Sequence, residues 1–341
     1  MKRVTIRDVA QEAGVSVTLV SFVMNAKRRS DGRLDCPVSP DTAERVLAVA
    51  KRLGYKRNPA AASLRNGRTN SIAVIPTDLA NKYFAGVSRF IEDRAWHYGY
   101  TVFFGSSDEN AQKLEAIIDT VLSYNVDGII VAPVEGGEGA IRKAVEANVP
   151  VVLLDRDIEG LEGVGKVSLD DAEAGRMATD LLLDNGFQRI DMISYDMAIS
   201  SLKEREKGYR SSMEARGFGA NAKVHYTTYE GLISDIGGII DDMVARKVEG
   251  IFMPTYSLSA AVLTEVKKRN FRVPEDVAVV GFDKSNIYNL FPTSVAHILQ
   301  PLQELGENAV DILHDMIEHT GEPRSMVLKP ILIEGGSVLK I

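Results

Sequence analysis

Seven short apolar runs along residues 71–282 constrain the fold of this chain more than any other feature. They read SIAVIP (71–76), TVFFGS (101–106), DGIIVAP (127–133), VPVVLLD (149–155), RIDMIS (189–194), GIFMP (250–254) and VAVVGF (277–282), with longer helical stretches between them. Continuous Val, Ile and Leu over such lengths suits parallel strands buried on both faces. Alternating strands and helices build doubly wound sheets. At 341 residues the chain exceeds what one hydrophobic core usually serves. The series divides near Val167 to Asp171, which predicts two similar α/β subdomains with a cleft between them.

The first 70 residues follow a different rule. In TIRDVAQEAGVSVTLVSFVMN, from Thr5 to Asn25, the apolar positions Ile6, Val9, Ala10 and Ala13 recur at helical spacing, and Thr5 with Asp8 offers a capping box. Gly14 and Val15 break that pattern. Ser16 is then a good N-cap for a second helix whose Val20, Val23 and Met24 form one apolar stripe. Val17, Thr18, Ser21 and Phe22 are left facing outward. Two short helices across a tight turn are a helix-turn-helix, whose second helix meets base edges in the major groove, or else an ordinary helical hairpin. A third helix begins at Ser39-Pro40, carries Val46, Leu47, Ala50 and Leu53 as its inward stripe, and stops at Gly54.

The wording of this region decides between those two readings. D-V-A-x-x-A-G-V-S-x-x-x-V-S-x-V-x-N, from Asp8 to Asn25, resembles the DNA-binding domain of the LacI/GalR family of bacterial transcription regulators, and the likeness continues through VSPDTAERVLAVAKRLGY (38–55) and nearly all of the remaining chain. The resemblance implies an N-terminal all-α helix-turn-helix domain over 1–58 and a hinge helix and linker over 59–70. It also implies a core at 71–341 like a periplasmic binding protein, an effector-binding and dimerisation domain. The chain would cross between subdomains three times, the third near His297 to Pro301. Subdomain one would then be 71–168 plus 299–326, and subdomain two 169–298 plus 327–341. The alanine-rich stretch after Pro59 is too short to be helical alone. In the family this segment orders on operator DNA and inserts a leucine into the minor groove, and Leu64 matches that leucine. Arg57-Asn58 replaces the family's usual Pro-Asn, and Ala62 stands where an arginine is frequent. The candidate DNA contacts are therefore Thr5, Ser16, Val17, Thr18, Ser21, Phe22, Asn25 and Leu64.

Charge agrees with a polyanion at one end only. Residues 1–70 hold 14 Lys and Arg against 6 Asp and Glu, a surplus of +8, so the net charge of −7 leaves −15 on residues 71–341. The loop after Asn25 adds Lys27, Arg28, Arg29 and Arg33 but dilutes them with Asp31 and Asp35. No apolar segment follows Lys2 and Arg3, and no run approaches membrane-spanning length, so neither export nor anchoring is expected. The single cysteine, Cys36, excludes an internal disulfide framework and fits a reducing cytoplasm.

Ligands of open parallel sheets gather at the carboxyl ends of the strands. There the sequence places Asp78, Asn81, Tyr83 and Phe84, then Ser106, Ser107 and Asp108, then Asp155 and Arg156, Arg205, Thr255 and Tyr256, and Asp283. Aromatics for stacking, with a carboxylate and a guanidinium for hydroxyls, suit a small polar molecule such as a sugar. The resemblance sharpens the set. Phe84 matches an effector-contacting aromatic, Arg205 with Gly208 matches an R-x-x-G whose arginine grips the ligand, and Asp283 matches the aspartate of G-[FY]-D. The candidate effector contacts are Asp78, Tyr83, Phe84, Arg205, Thr255, Tyr256 and Asp283. Thr255-Tyr256 replaces the family's usual Asn-Asp, and Lys284 stands where a second aspartate is common, so ligand identity does not transfer from a relative.

No phosphate loop, dinucleotide fingerprint or G-x-S-x-G appears. His314 and His319 lie five apart, off a shared helix face, and Asp170-Asp171 and Asp241-Asp242 are neighbours that point apart. No cofactor, metal or reaction is expected. A solute-binding protein for transport or sensing and an α/β enzyme acting on a sugar or nucleotide would share the cleft, but neither would carry a basic helix-turn-helix. The expectation is a homodimeric DNA-binding regulator, by family default a repressor, on a roughly palindromic operator.

Overall fold

The structure, a computed structural model, describes residues 4–26, 34–55, 67–229 and 231–339. The chain forms two compact units, residues 1–69 and 70–341.

In the first unit, α1 (Ile6–Ala13), α2 (Val17–Asn25) and α3 (Pro40–Arg52) bury Val9, Ala10, Ala13, Val20, Val23, Ala43, Val46, Val49 and Ala50 in one small core. The capping box closes, with Asp8 N–H donating to Thr5 Oγ1 at 3.4 Å and Thr5 N–H to Asp8 Oδ2 at 2.7 Å. Gly14 ends α1 with φ +62°, a left-handed conformation that glycine adopts without strain. Ser16 then accepts from Leu19 N–H at 3.2 Å and starts α2. In α3, Leu47 and Leu53 are only half-buried, while Val49 and Ala43 take inward places that the expected stripe omitted.

The second unit holds two six-stranded sheets. The first has the order β11-β5-β4-β3-β1-β2 and is wholly parallel. It consists of β1 (Ser71–Ile75), β2 (Thr101–Phe104), β3 (Gly128–Val131), β4 (Val151–Leu154), β5 (Gly165–Leu169) and β11 (Ser325–Leu328). The second has the order β12-β10-β9-β8-β6-β7. Its members are β6 (Ile190–Tyr195), β7 (Lys223–Thr227), β8 (Gly250–Phe252), β9 (Ala278–Phe282), β10 (Ala296–Leu299) and β12 (Ile331–Ile333), with only β12 antiparallel. Helices cover both faces of each sheet. The first packs against α4 (Lys82–His97) and α11 (Leu302–Ile317) on one side and α5 (Ala111–Ser123) and α6 (Glu138–Glu146) on the other. The second packs against α7 (Asp171–Asp184) and α8 (Ser200–Ala215), and then against α9 (Leu232–Ala245) and α10 (Tyr256–Lys268). Fully buried Ile72, Ile130 and Ile193 are typical of the strand cores, each stabilising the fold by roughly 1.5–3 kcal/mol.

The chain passes between the sheets three times, after Leu169, Leu299 and Leu328. The division expected at 326/327 falls inside β11, which pairs with β5 as far as Leu328. The strand runs on because its hydrogen bonds do, and Pro330, which has no N–H to give a ladder, marks the departure. A second correction concerns β2. Expected to be buried on both faces, it is the sheet's edge and exposes Phe103 and Phe104. The strands β5, β7, β10 and β11 carry polar residues among apolar ones, and β12 is only three residues long, so these five escaped the search for continuous runs. No helix among the described residues is long and apolar enough to cross a membrane.

Candidate functional site

The C-terminal ends of strands from both sheets meet across one cleft, which encloses about 610 Å³ with its solvent mouth included. Thr77 and Asp78 follow β1, Glu109 follows β2, Asp155 and Arg156 follow β4, and Tyr195 ends β6. Tyr229 follows β7, Thr255 follows β8, Asp283 follows β9, and Gln300 follows β10. Two helices add Tyr83 and Phe84 from the start of α4 and Arg205 from α8. All seven expected effector contacts line this cleft.

Arg205 is its buried centre, 4% exposed. Its Nε donates to Asp171 Oδ1 at 2.8 Å and its Nη1 to the Pro254 carbonyl at 2.7 Å, while the guanidinium lies over the Phe282 ring at 4.0 Å. Asp171 comes from the start of α7, and the close crossing of α7 and α8 brings it there. A Cβ added at Gly208 would sit 2.0 Å from the Ala172 carbonyl oxygen, and one at Gly175 would sit 2.0 Å from that of Arg205. The glycine of R-x-x-G therefore serves helix contact, and that contact sets the arginine's depth. Burial pushes the Asp171 carboxyl up to about 7 against the pull of Arg205. Burial likewise raises Asp283 to about 6, against Arg205 and a 3.0 Å hydrogen bond from Gln300 Nε2.

Asp155 and Asp283 both adopt positive φ, +70° and +58°, which bends each chain sharply off its strand end. Neither caps a helix, the alternative role such residues have. Thr255 does cap one, accepting from Leu258 N–H at 3.2 Å. Asp78 accepts from its own turn, Ala80 N–H at 2.7 Å, and from the Tyr229 hydroxyl across the cleft at 3.1 Å. Lys82 lies over the Tyr256 ring, 5.2 Å from its centroid, as a second bridge between the two walls. The Tyr83 hydroxyl is buried beside the Asp155 carboxylate without a well-formed hydrogen bond; burial and then Asp155 hold its pKa well above the usual phenol value. Gln300 Oε1 is buried without a hydrogen-bond partner. Orphaned buried polar atoms in a cleft are the places where a ligand's hydroxyls complete the hydrogen bonding. Among the described residues, no group of His, Cys, Asp and Glu is disposed to hold a metal.

Sequence reasoning missed Glu109, Asp171, Tyr195, Tyr229 and Gln300. Tyr229 follows β7, which has no continuous apolar run, and Asp171 acts through Arg205 rather than from a strand end. Asp108, expected nearby, is instead paired with Lys113 and Ser106 outside the lining.

In the helical unit, Val17 and Phe22 are 42% and 49% exposed and Thr18 is exposed with them. Phe22 is thus no core residue. Ser21 is half-buried, and Asn25 turns its amide back onto it, donating to the Ser21 carbonyl at 2.6 Å and to its hydroxyl at 3.1 Å. Thr5 and Ser16 are exposed caps, with the Thr5 hydroxyl also donating to Asp8 Oδ2 at 2.7 Å. Leu64 lies outside the described residues, as does the basic loop from Lys27 to Arg33.

Comparison with known proteins matches both units. The family model described as bacterial regulatory proteins, lacI family, covers residues 5–58, and that described as periplasmic binding protein domain covers residues 72–322. Catabolite control protein A of Priestia megaterium is 29% identical over 336 residues, 97% of this chain and 98% of that protein. A LacI-family transcriptional regulator of Silicibacter pomeroyi shares the fold with a TM-score of 0.79 at 26% identity, covering 99% of this chain and 100% of its own. The regulator CelR in complex with cellobiose superposes with a TM-score of 0.70, also at 26% identity, over 98% of this chain and all of that one.

Proposed function

Because the chain belongs to the LacI family of bacterial regulatory proteins, we propose that it is a transcription regulator, a repressor, whose hold on operator DNA is set by a small polar effector, a carbohydrate, in the core cleft. The observation that carries this reading is the outward face of α2. Val17 and Phe22 are exposed apolar residues on a helix whose Val20 and Val23 are buried and whose Leu19 and Met24 pack half-buried against the core, so the core does not account for them. Apolar contact with a thymine methyl does, and Thr18 beside them supplies a hydroxyl for a base or phosphate. The core matches a periplasmic binding protein domain, but the N-terminal unit has no place in a transport protein, and two relatives are named as an HTH-type transcriptional regulator and an HTH-type transcriptional repressor. The reading places the protein in the cytoplasm, where operators are.

One recognition helix per subunit fits a homodimer on two half-sites. Each core sheet ends on an edge strand with exposed apolar groups around it. These are Phe103 and Phe104 on β2 with Tyr124 after α5, and Tyr226 on β7 with Ile233 and Val244 on α9. Edges of this kind are left open where another chain covers them. Leu64 is assigned the minor-groove wedge on its match to the family.

Selection from random duplexes, with sedimentation of the bound species, tests the proposal. A roughly two-fold symmetric site held by a dimer is expected, with Tyr124→Glu and Ile233→Glu shifting the protein towards monomer. Recovery of no preferred sequence, or a DNA-bound monomer, would contradict it. Leu64→Ala is expected to weaken the specific site while sparing nonspecific affinity, which comes from phosphate contacts.

A further inference from the structure

The charge of the cleft identifies the ligand more narrowly than the fold does, on the premise that the cleft is the carbohydrate site proposed above. Its lining holds four carboxylates, Asp78, Glu109, Asp155 and Asp283, against two cations, Arg156 and Arg205. A fifth carboxylate, Asp171, stands against Arg205 at 2.8 Å, and a third cation, Lys82, lies beside the lining over the Tyr256 ring, 5.2 Å from its centroid.

Both lining cations are engaged by the protein through their terminal nitrogens or their carboxylate partners, although Arg156 Nε is buried without a hydrogen bond, 3.6 Å from Asp155 Oδ2. Arg156 grips Glu109 with both terminal nitrogens, at 2.8 and 2.7 Å, and one of them also donates to the Pro133 carbonyl at 3.0 Å. Arg205 is divided between Asp171, the Pro254 carbonyl and the Phe282 ring. The acceptors are less fully used. Asp283 receives the Gln300 amide, whereas Gln300 Oε1 and the Tyr83 hydroxyl are buried without well-formed hydrogen bonds, both residues at least nine-tenths buried and lining the cleft. The site therefore offers acceptors, one phenol and the faces of Tyr195, Tyr229 and Tyr256, in a net field of two negative charges. Phosphate and carboxylate need the reverse, free cations or convergent N–H groups.

We propose that the effector carries no anionic group. Neutral sugars and amino sugars bind, and their phosphate esters and acids are refused. An anion brought among these carboxylates meets repulsion that water screens poorly in a narrow cleft, while a protonated amine meets attraction and aromatic faces.

Matched series on single sugar skeletons test the rule by thermal shift and calorimetry on the full-length protein near pH 7.5 at low salt. Each series holds the neutral sugar, its 2-amino-2-deoxy analogue, its 6-phosphate and its uronic acid. Hits are expected only among neutral and aminated members, with the ester or acid weaker by about a hundredfold or more. Asp78→Asn removes one charge and is expected to narrow that gap by roughly tenfold. An ester or acid binding as tightly as its neutral parent overturns the charge rule and leaves the cleft as the effector site. Binding indifferent to Arg205→Ala and Asp283→Asn moves the site out of this cleft. If no series yields a hit, the carbohydrate reading fails and the charge rule fails with it.

Discussion

The exposed face of α2 takes its residues from a single stretch, Val17 to Phe22, whereas the cleft gathers its lining from strand ends and helix starts spread over residues 77–300. The first surface is exposed and local. The second is buried and assembled by the whole core. The contrast teaches that one fold carries two kinds of site whose residues answer substitution differently. Side chains on the exposed face of α2 are expected to change with little effect on folding, whereas those around Arg205 are buried and paired within the core.

The largest effect expected from this contrast is at Asp171. Asp171→Ala leaves Arg205 buried and charged without its carboxylate, and is expected to cost the core about 3–5 kcal/mol in denaturant unfolding. Thr18→Ala on the exposed face is expected to stay within about 0.5 kcal/mol. Similar costs at the two positions would erase the distinction.

Asp283 sharpens it in the other direction. Its carboxyl is raised to about 6 and that of Asp171 to about 7, both chiefly by burial. The folded chain thus holds these protons more tightly than the unfolded chain, and the associated stability is complete below about pH 4 and lost as pH rises through 6 and 7. Asp283→Asn is expected to stabilise the core at pH 8 by roughly 2 kcal/mol and to flatten the pH profile, while weakening ligand binding. A destabilised Asn variant at pH 8 would mean that the carboxylate is satisfied without a ligand.

The remaining effects are about half that size and belong to the helical unit. Ser16→Ala removes the cap on Leu19 N–H and is expected to cost about 1 kcal/mol of that unit's stability. Phe22→Ala is expected to weaken the specific site by about 1 kcal/mol with its melting temperature unchanged. A lowered melting temperature with specificity intact would return Phe22 to the core.

The same contrast explains what the sequence made legible. Thr5, Gly14 and Ser16 determine α1, its turn and the start of α2 through contacts within five residues, so the helix pair could be read directly. Buried parallel strands announced themselves by continuous Val and Ile, and strand ends by position. Arg205 and Asp283 were therefore found, but their chemistry was not. Asp171 reaches Arg205 only because Gly175 and Gly208 let two helices touch, a fact of packing that no spacing encodes. Tyr229 was hidden behind β7, where Lys223, His225 and Tyr226 interrupt the apolar pattern. Asn25, a candidate DNA contact, donates its amide to the Ser21 carbonyl and hydroxyl, a pairing within one helical turn that the motif alone does not announce.

The proposed function makes the cleft and the exposed face of α2 parts of one switch, and coupling between two sites is reciprocal by thermodynamic necessity. The most direct test measures operator affinity with and without the effector found in the sugar series, and effector affinity with and without operator, in the same buffer. The same factor is expected in both directions, roughly 5- to 150-fold, and none for Arg205→Ala, which should still bind operator. Factors that differ, or operator affinity unchanged by a saturating effector, would contradict the switch.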